Sequence, residues 1–168
     1  MSTEHVERLR LRHRPDDLFE LVSGVQAYPD FIGPITAMRV RENRFEGDAR
    51  RLVAEARIRF KFVRERFVTE VVSHRAERRI EVGFLEGPFH DLANHWRFVE
   101  LSDGSTLVDF WIRYHFDNPL LQMLLDANRA RAVRYLVSAF AAEADRRYDT
   151  MGAVELDLTA EPAFARGA

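Results

Sequence analysis

Six stretches between residues 37 and 116 alternate apolar and polar side chains, and only a few turn-forming residues part each from the next. They run at about 37–45, 48–60, 63–74, 79–85, 89–101 and 106–116. Period-two alternation marks a strand with one dry face. Connections this short rule out parallel neighbours, which need a crossover of roughly a dozen residues or more. The stretches must therefore pair as antiparallel hairpins, with Asp103-Gly104 the strongest turn signal among them. In the last stretch Val108, Phe110, Ile112, Tyr114 and Phe116 share one face, and Asp109, Trp111, Arg113 and His115 the other. Such a sheet has one wet face and one dry face, and the dry face needs a cover.

The flanking segments supply that cover. Alternation from His5 to Arg12 predicts a further strand, with Leu9 and Leu11 inward and Arg8, Arg10 and Arg12 outward. Pro15, Asp16 and Asp17 open a helix whose buried stripe is Leu18, Leu21, Val22 and Val25. Tyr28-Pro29-Asp30-Phe31-Ile32-Gly33-Pro34 reads as a second helical turn, stopped by Gly-Pro. Asn118-Pro119 starts the longest helix, running to about Tyr148, on which Leu121, Leu125, Asn128, Ala132, Tyr135, Leu136, Ala139 and Phe140 form a broad stripe. The expected fold class is α+β: a curved antiparallel sheet of about seven strands wrapped around a long C-terminal helix, as one domain over residues 1–149. Beyond Thr150 the periodicity is lost, and 150–168 reads as a disordered, frayed tail.

The stretch from Gly87 to Phe98 joins a turn to a strand whose inward face carries Leu92, Asn94, Trp96 and Phe98. An amide buried without a partner costs roughly 1–3 kcal/mol, so Asn94 beside Trp96 points to a lined cavity and a ligand. The helix stripe is small or polar in its middle, at Asn128, Ala132 and Ala139, which leaves space above the sheet. A chain of 168 residues hides about 68–70% of its unfolded surface, enough to enclose a cavity.

The net charge of −2 argues against a protein that wraps nucleic acid, although of 25 Lys and Arg residues only Lys61 is lysine. The absence of Cys removes any disulfide framework or thiolate nucleophile and suits a reducing compartment. No secretory apolar segment is visible after Glu4, and no apolar run approaches the ~20 residues that span a bilayer. The six histidines show no metal-ligand spacing, and no nucleophile elbow, phosphate loop or dinucleotide fingerprint is present. No catalytic or metal residue is therefore assigned. Glu65 falls inward by alternation, where a strand-end pairing with an Arg is favoured over a general-base role.

Tyr28-Pro29-Asp30-Phe31 after the first helix, Gly87-Pro88-Phe89 with Leu92 and Trp96-Arg97-Phe98, and the closing amphipathic helix together resemble the coenzyme Q-binding START-domain family, over about residues 3–148. The sequence departs from it at Gly33-Pro34-Ile35, where many members carry Pro-Trp. The resemblance implies a helix-grip (START/Bet v 1-like) fold, related to polyketide cyclase/dehydrase-like and lipid-transport domains. It implies a cytoplasmic protein, peripheral to the inner face of the inner membrane, that holds ubiquinone or another polyprenyl quinone and serves respiratory or quinone-biosynthesis proteins. No cofactor is required, the bound lipid being the ligand. Bacterial members described as toxins that block ribosomal subunit association make the ribosome an alternative partner, and related cyclases make an aromatase a third reading.

A quinone ring offers acceptors to amide and hydroxyl donors, while its tail needs apolar walls. Trp96 is expected to wall the ring, with Asn94, Tyr114 and Asn128 as polar contacts. Phe98, Phe110, Ile112, Leu125, Ala132 and Phe67 complete the expected lining. Phe31, Ile32, Phe84, Leu85 and Phe89 lie in or beside turns and are expected to touch a membrane transiently. Arg8, Arg10 and Arg12, with Arg57, Arg59, Arg64 and Arg66, form cationic faces that suit solvent, anionic lipid or RNA.

Overall fold

A computed structural model describes residues 1–165. One antiparallel sheet contains every strand: β1 (Thr3–Leu11), β2 (Ile35–Glu46), β3 (Ala49–Phe60), β4 (Val63–His74), β5 (Arg79–Glu86), β6 (Phe89–Glu100) and β7 (Thr106–Phe116). Their order is β1-β7-β6-β5-β4-β3-β2. The six consecutive strands form the expected meander of hairpins, and β1 closes the other edge against β7, pairing Leu9 with Val108 and Thr3 with Tyr114. Irregular register between Val40 and Glu42, between Val68 and Thr69, and between Phe89 and Asp91 marks bulges, which bend and twist the strands locally.

Helix α1 (Pro15–Ser23) begins with Pro15 in its first turn and Asp16 and Asp17 at its positive end. A 3₁₀ turn leads into the short α2 (Tyr28–Phe31), where the Tyr28 hydroxyl donates to the Val22 carbonyl. Helix α3 (Pro119–Arg147) is capped by the Asn118 side chain, which accepts from the Leu120 N–H at 2.9 Å. Its buried stripe is Val133, Val137, Phe140 and Ala144, rotated from the expected one. Asn128 and Tyr135 face solvent, and the Asn128 amide bonds back to the Leu124 carbonyl at 2.8 Å. Phe140 sets this rotation, because its ring meets Tyr28, Phe31 and Trp96 at 5.2–5.4 Å.

The second difference concerns the chain after Thr150. Instead of fraying, the described part lies along β1. Met151 N–H donates to the Arg12 carbonyl, Arg12 donates to the Gly152 carbonyl, Arg10 to the Ala153 carbonyl and Arg8 to the Phe164 carbonyl. Glu161 is buried and accepts from Ser102. Thus the β1 arginines serve as anchors for this segment, which has polar clasps rather than a periodic apolar face. The short helix α4 (Pro162–Ala165) ends the described chain, and Arg166, Gly167 and Ala168 of the expected tail lie outside the described residues.

Asp103 is the centre of the clasp. It accepts from Arg10 at 2.6 Å, from Ser105 and from the Ala153 N–H at 2.9 Å. Burial opposes its charge, but these hydrogen bonds outweigh burial and hold the carboxyl well below the usual carboxylate range. A group with a depressed folded pKa stabilises the fold above its unfolded pKa, about 4, and loses that contribution as pH falls through the folded value. Acidification far enough below about pH 4 to protonate the folded Asp103 carboxyl is therefore expected to loosen the segment from β1, read as movement of the Ala153 amide resonance. Asp103→Asn should already displace that resonance at neutral pH. An Ala153 amide unaffected by either change would contradict the clasp.

Candidate functional site: a hollow beneath the long helix

The helices cover the dry face unevenly. Helix α1 rests on β5 and β6, and α3 rests on β1, β7, α1 and α2; Leu52 and Ala54 of β3 and Val71 of β4 are buried in the same core, but the ends of β3 and β4 nearest their shared turn are not. The core is consequently tight at one end, where Leu18, Phe19, Val22, Ile80, Trp96, Phe98, Phe110, Val137 and Phe140 are buried together. Toward the β3–β4 and β5–β6 turns the inner face changes character. Ile58, Glu65, Phe67, Val82, Phe84, Asn94 and Ile112 point inward by register yet are only half-buried, as are Leu125, Arg129 and Ala132 on α3. An inward face that stays partly wet is an open hollow between sheet and helix. A separate surface cleft of about 470 Å³ lies between the start of α3 and the outer side of β7, among Met1, His90, His115, Phe116, Gln122 and Met123.

Aromatic rings line this hollow. Phe89 stacks on Phe116 at 4.5 Å and meets the edges of Phe67 at 5.5 Å and Phe84 at 5.7 Å. Gly87 makes this possible. Its φ of +141° suits glycine, and a Cβ there would sit 2.5 Å from the Phe67 Cβ, so the β5–β6 turn lies directly on β4.

Trp96 forms the inner wall and is 5% exposed. Phe98, Phe110 and Phe140 surround it, and its indole N–H donates to Asn94 Oδ1 at 2.8 Å. The Asn94 amide donates in turn to the Trp111 carbonyl at 2.9 Å. The amide that pointed to a ligand is therefore satisfied by the protein itself and positions the tryptophan. Asn94 keeps a second N–H, since a carboxamide carries two donors.

Tyr114 belongs to a polar group that sequence spacing did not reveal. Its hydroxyl donates to Asp126 Oδ1 at 3.1 Å, and Thr3 donates to the same oxygen at 2.6 Å. Burial, followed by the neighbouring Asp126, pushes the Tyr114 hydroxyl up to about 12. The Thr3 hydrogen bond leads the effects that lower the Asp126 carboxyl. On the adjoining turn of α3 the Nε of Arg129 is buried without a hydrogen-bond acceptor, and on β1 His5 faces Glu7 at 3.5 Å. Asp126 and Arg129 thus take the place expected for Asn128. A lone acid and a lone base on a helix carry no periodic signature, and only the rotation of α3 brings them over β1 and β7.

Of the expected lining, Trp96, Phe98, Phe110 and Tyr114 are buried, while Asn94, Ile112, Phe67, Leu125 and Ala132 are half-buried and border the hollow; Asn128 is exposed and does not. Of the expected docking residues, Ile32 is buried in the core, and Phe31 is held between Tyr28 and Phe140. Phe84 and Phe89 belong to the ring cluster inside the lip, leaving Leu85 exposed. Glu65 faces inward opposite Ile58, and no ion pair joins it to an arginine among the described residues, so the expected strand-end pairing does not form. Also among the described residues, no group of His, Cys, Asp or Glu has an arrangement that could hold a metal, and no helix is long and apolar enough to cross a membrane.

Known proteins share this architecture. The ribosome association toxin RatA of Pseudomonas aeruginosa is 29% identical over 149 residues, covering 88% of this chain and 99% of its own. RatA of Rickettsia prowazekii is 27% identical, covering 83% and 93%. The solution structure of an 18 kDa protein from Caulobacter crescentus is 41% identical, covers 86% and 97%, and superposes with a TM-score of 0.74. An aromatase/cyclase from Streptomyces sp. R1128 shares the fold at a TM-score of 0.76 with 16% identity, covering 88% and 96%. The family described as polyketide cyclase/dehydrase and lipid transport matches residues 11–141, and the chain belongs to that family.

Proposed function

We propose that the protein is a non-catalytic carrier that takes a ubiquinone-like polyprenyl quinone into the hollow beneath α3 and passes it to respiratory or quinone-biosynthesis proteins. The observation that carries this is the half-covered inner face, aromatic along the lip and bordered at its β1–β7 side by polar groups. The second Asn94 N–H and the buried Arg129 Nε–H are donors suited to a ring carbonyl or methoxy oxygen. The apolar walls suit an isoprenoid tail. The Tyr114 hydroxyl is engaged with Asp126 inside the protein. Membership of a family that includes lipid transport supports the same role.

Trp111 lies on the outer face between His95 and Arg113, so Trp111→Phe leaves Trp96 as the sole indole. Titration of that variant with a short-tailed ubiquinone is expected to quench Trp96 fluorescence saturably. Adding Ala132→Phe should fill the hollow, weaken the quench by about tenfold and leave the melting temperature within a few degrees. Quenching that is linear in quinone and indifferent to Ala132→Phe would contradict binding in the hollow.

A second role is supported by the relatives named ribosome association toxins, at 27–29% identity. In that case overexpression should reduce subunit joining in sedimentation profiles; unchanged profiles remove it.

A further inference from the structure

The β3–β4 hairpin extends beyond both of its neighbours. The first residue of β2, Ile35, pairs with Ile58, and the last of β5, Glu86, pairs with Val68. Apart from one bond from the Arg59 N–H to the Pro34 carbonyl at 2.8 Å, the ribbon 59–64 stands alone. Its tip carries Phe60, 55% exposed, and Phe62, 72% exposed, with Lys61 between them in left-handed backbone at φ +54°.

Charge on this finger is one-sided. Residues 57–66 hold five cations and one acid in a chain of net charge −2. Arg57 stands directly opposite Arg66, and Arg59 opposite Arg64, although like charges in register repel. Arg57 and Arg66 share one acid, Glu55, with Arg41. Arg59, Lys61 and Arg64 form no ion pair with an acid among the described residues. The β2–β3 turn, at the other end of β3, also exposes a phenylalanine, Phe45, but there Arg44 pairs with Glu46 and Arg51 with Glu42 and Glu70. Exposed rings together with unbalanced like charge thus mark the β3–β4 tip. Two exposed rings at the apex, with Lys61 between them and Arg59 and Arg64 behind, match a lipid surface, where rings enter the interface and cations meet anionic headgroups. Lys61 Nζ lies 5.5 Å from the Phe60 ring centroid at the apex; a nucleic-acid face stacks bases on ring faces, whereas the other apolar residues exposed at this end are aliphatic and suit a lipid interface.

We propose that the β3–β4 hairpin is a docking finger for anionic membranes, inserting Phe60 and Phe62 while Arg59, Lys61 and Arg64 engage phosphate headgroups. It deepens the carrier role, on which its purpose rests, by naming the surface through which the hollow reaches a bilayer. Leu85 on the neighbouring turn and Leu120, Met123 and Leu124 at the start of α3 are exposed at the same end of the sheet.

Flotation of the full chain with phosphatidylglycerol-containing vesicles tests it. Binding is expected to be at least tenfold stronger than to pure phosphatidylcholine vesicles and to weaken with salt. Phe60→Ser with Phe62→Ser should reduce the bound fraction at least tenfold, and Arg59→Gln with Arg64→Gln should reduce it and flatten the salt dependence. Phe45→Ser should leave it unchanged. Quinone quenching of the Phe60/Phe62 variant in detergent should match that of the parent, so failure of the finger and failure of the hollow are read separately. Equal binding of parent and Phe60/Phe62 variant, or no vesicle binding, would overturn the proposal. So would a finger whose arginine variant loses ribosomal RNA while vesicles never bind.

Discussion

Trp96→Ala is expected to cost about 3–5 kcal/mol of folding stability, a fall in melting temperature of roughly 6–20 °C for a domain of this size. The indole is 5% exposed and fills the junction of sheet, α1 and α3, with Phe110 at 4.8 Å and Phe140 at 5.2 Å. Truncation leaves a cavity that these rings cannot close, and it strips Asn94 Oδ1 of the indole N–H that it accepts. Trp96→Phe should cost less, since most of the ring volume survives and the amide alone is left short. A melting temperature unchanged in Trp96→Ala would mean that the indole is not part of the core. The expected loss also means that Trp96→Ala cannot separate ligand binding from folding, whereas Ala132→Phe can.

Gly87→Ala should destabilise the fold by roughly 2–4 kcal/mol, from backbone strain and overpacking together. The φ of +141° disfavours any side chain, and the added Cβ would meet not only the Phe67 Cβ but its Cα at 3.0 Å and the Arg66 carbonyl at 3.2 Å. Those are main-chain atoms of a paired strand and cannot swing aside. Relief requires the β5–β6 turn to lift from β4, carrying Phe89 away from Phe67 and Phe84. Quinone quenching should therefore weaken together with stability, and urea unfolding should show a lower midpoint with an unchanged slope. An unaltered midpoint would remove the close approach at Gly87 as the reason for that residue.

Much of the sheet was legible because each hairpin advertises itself twice, in alternation and in turn residues. Expected bounds such as 63–74 and 106–116 coincide with β4 and β7. The rotation of α3 was not, because apolar residues occur on several of its faces and both the Tyr135 and the Val137 sides offer a plausible stripe. Contacts of Phe140 with α2 and Trp96 decide between them, and these join residues far apart in the sequence. The clasp of 150–165 was invisible for a related reason: arginine–carbonyl and carboxylate bonds hold it, and they have no period. Asn94 drew attention correctly as a polar residue inside the sheet. What the sequence hid was that its partners, Trp96 and the Trp111 carbonyl, come from the protein itself. The functional weight therefore moves from that amide to the half-buried face between it and the β3–β4 turn.

The most direct measurement of the carrier role is mass spectrometry of the organic extract from the intact chain, purified without detergent from a quinone-producing host. The hollow is expected to yield a polyprenyl quinone at an appreciable fraction of one per chain, and Ala132→Phe much less. A chain that yields none, and that takes up none when quinone is added back, would contradict the account.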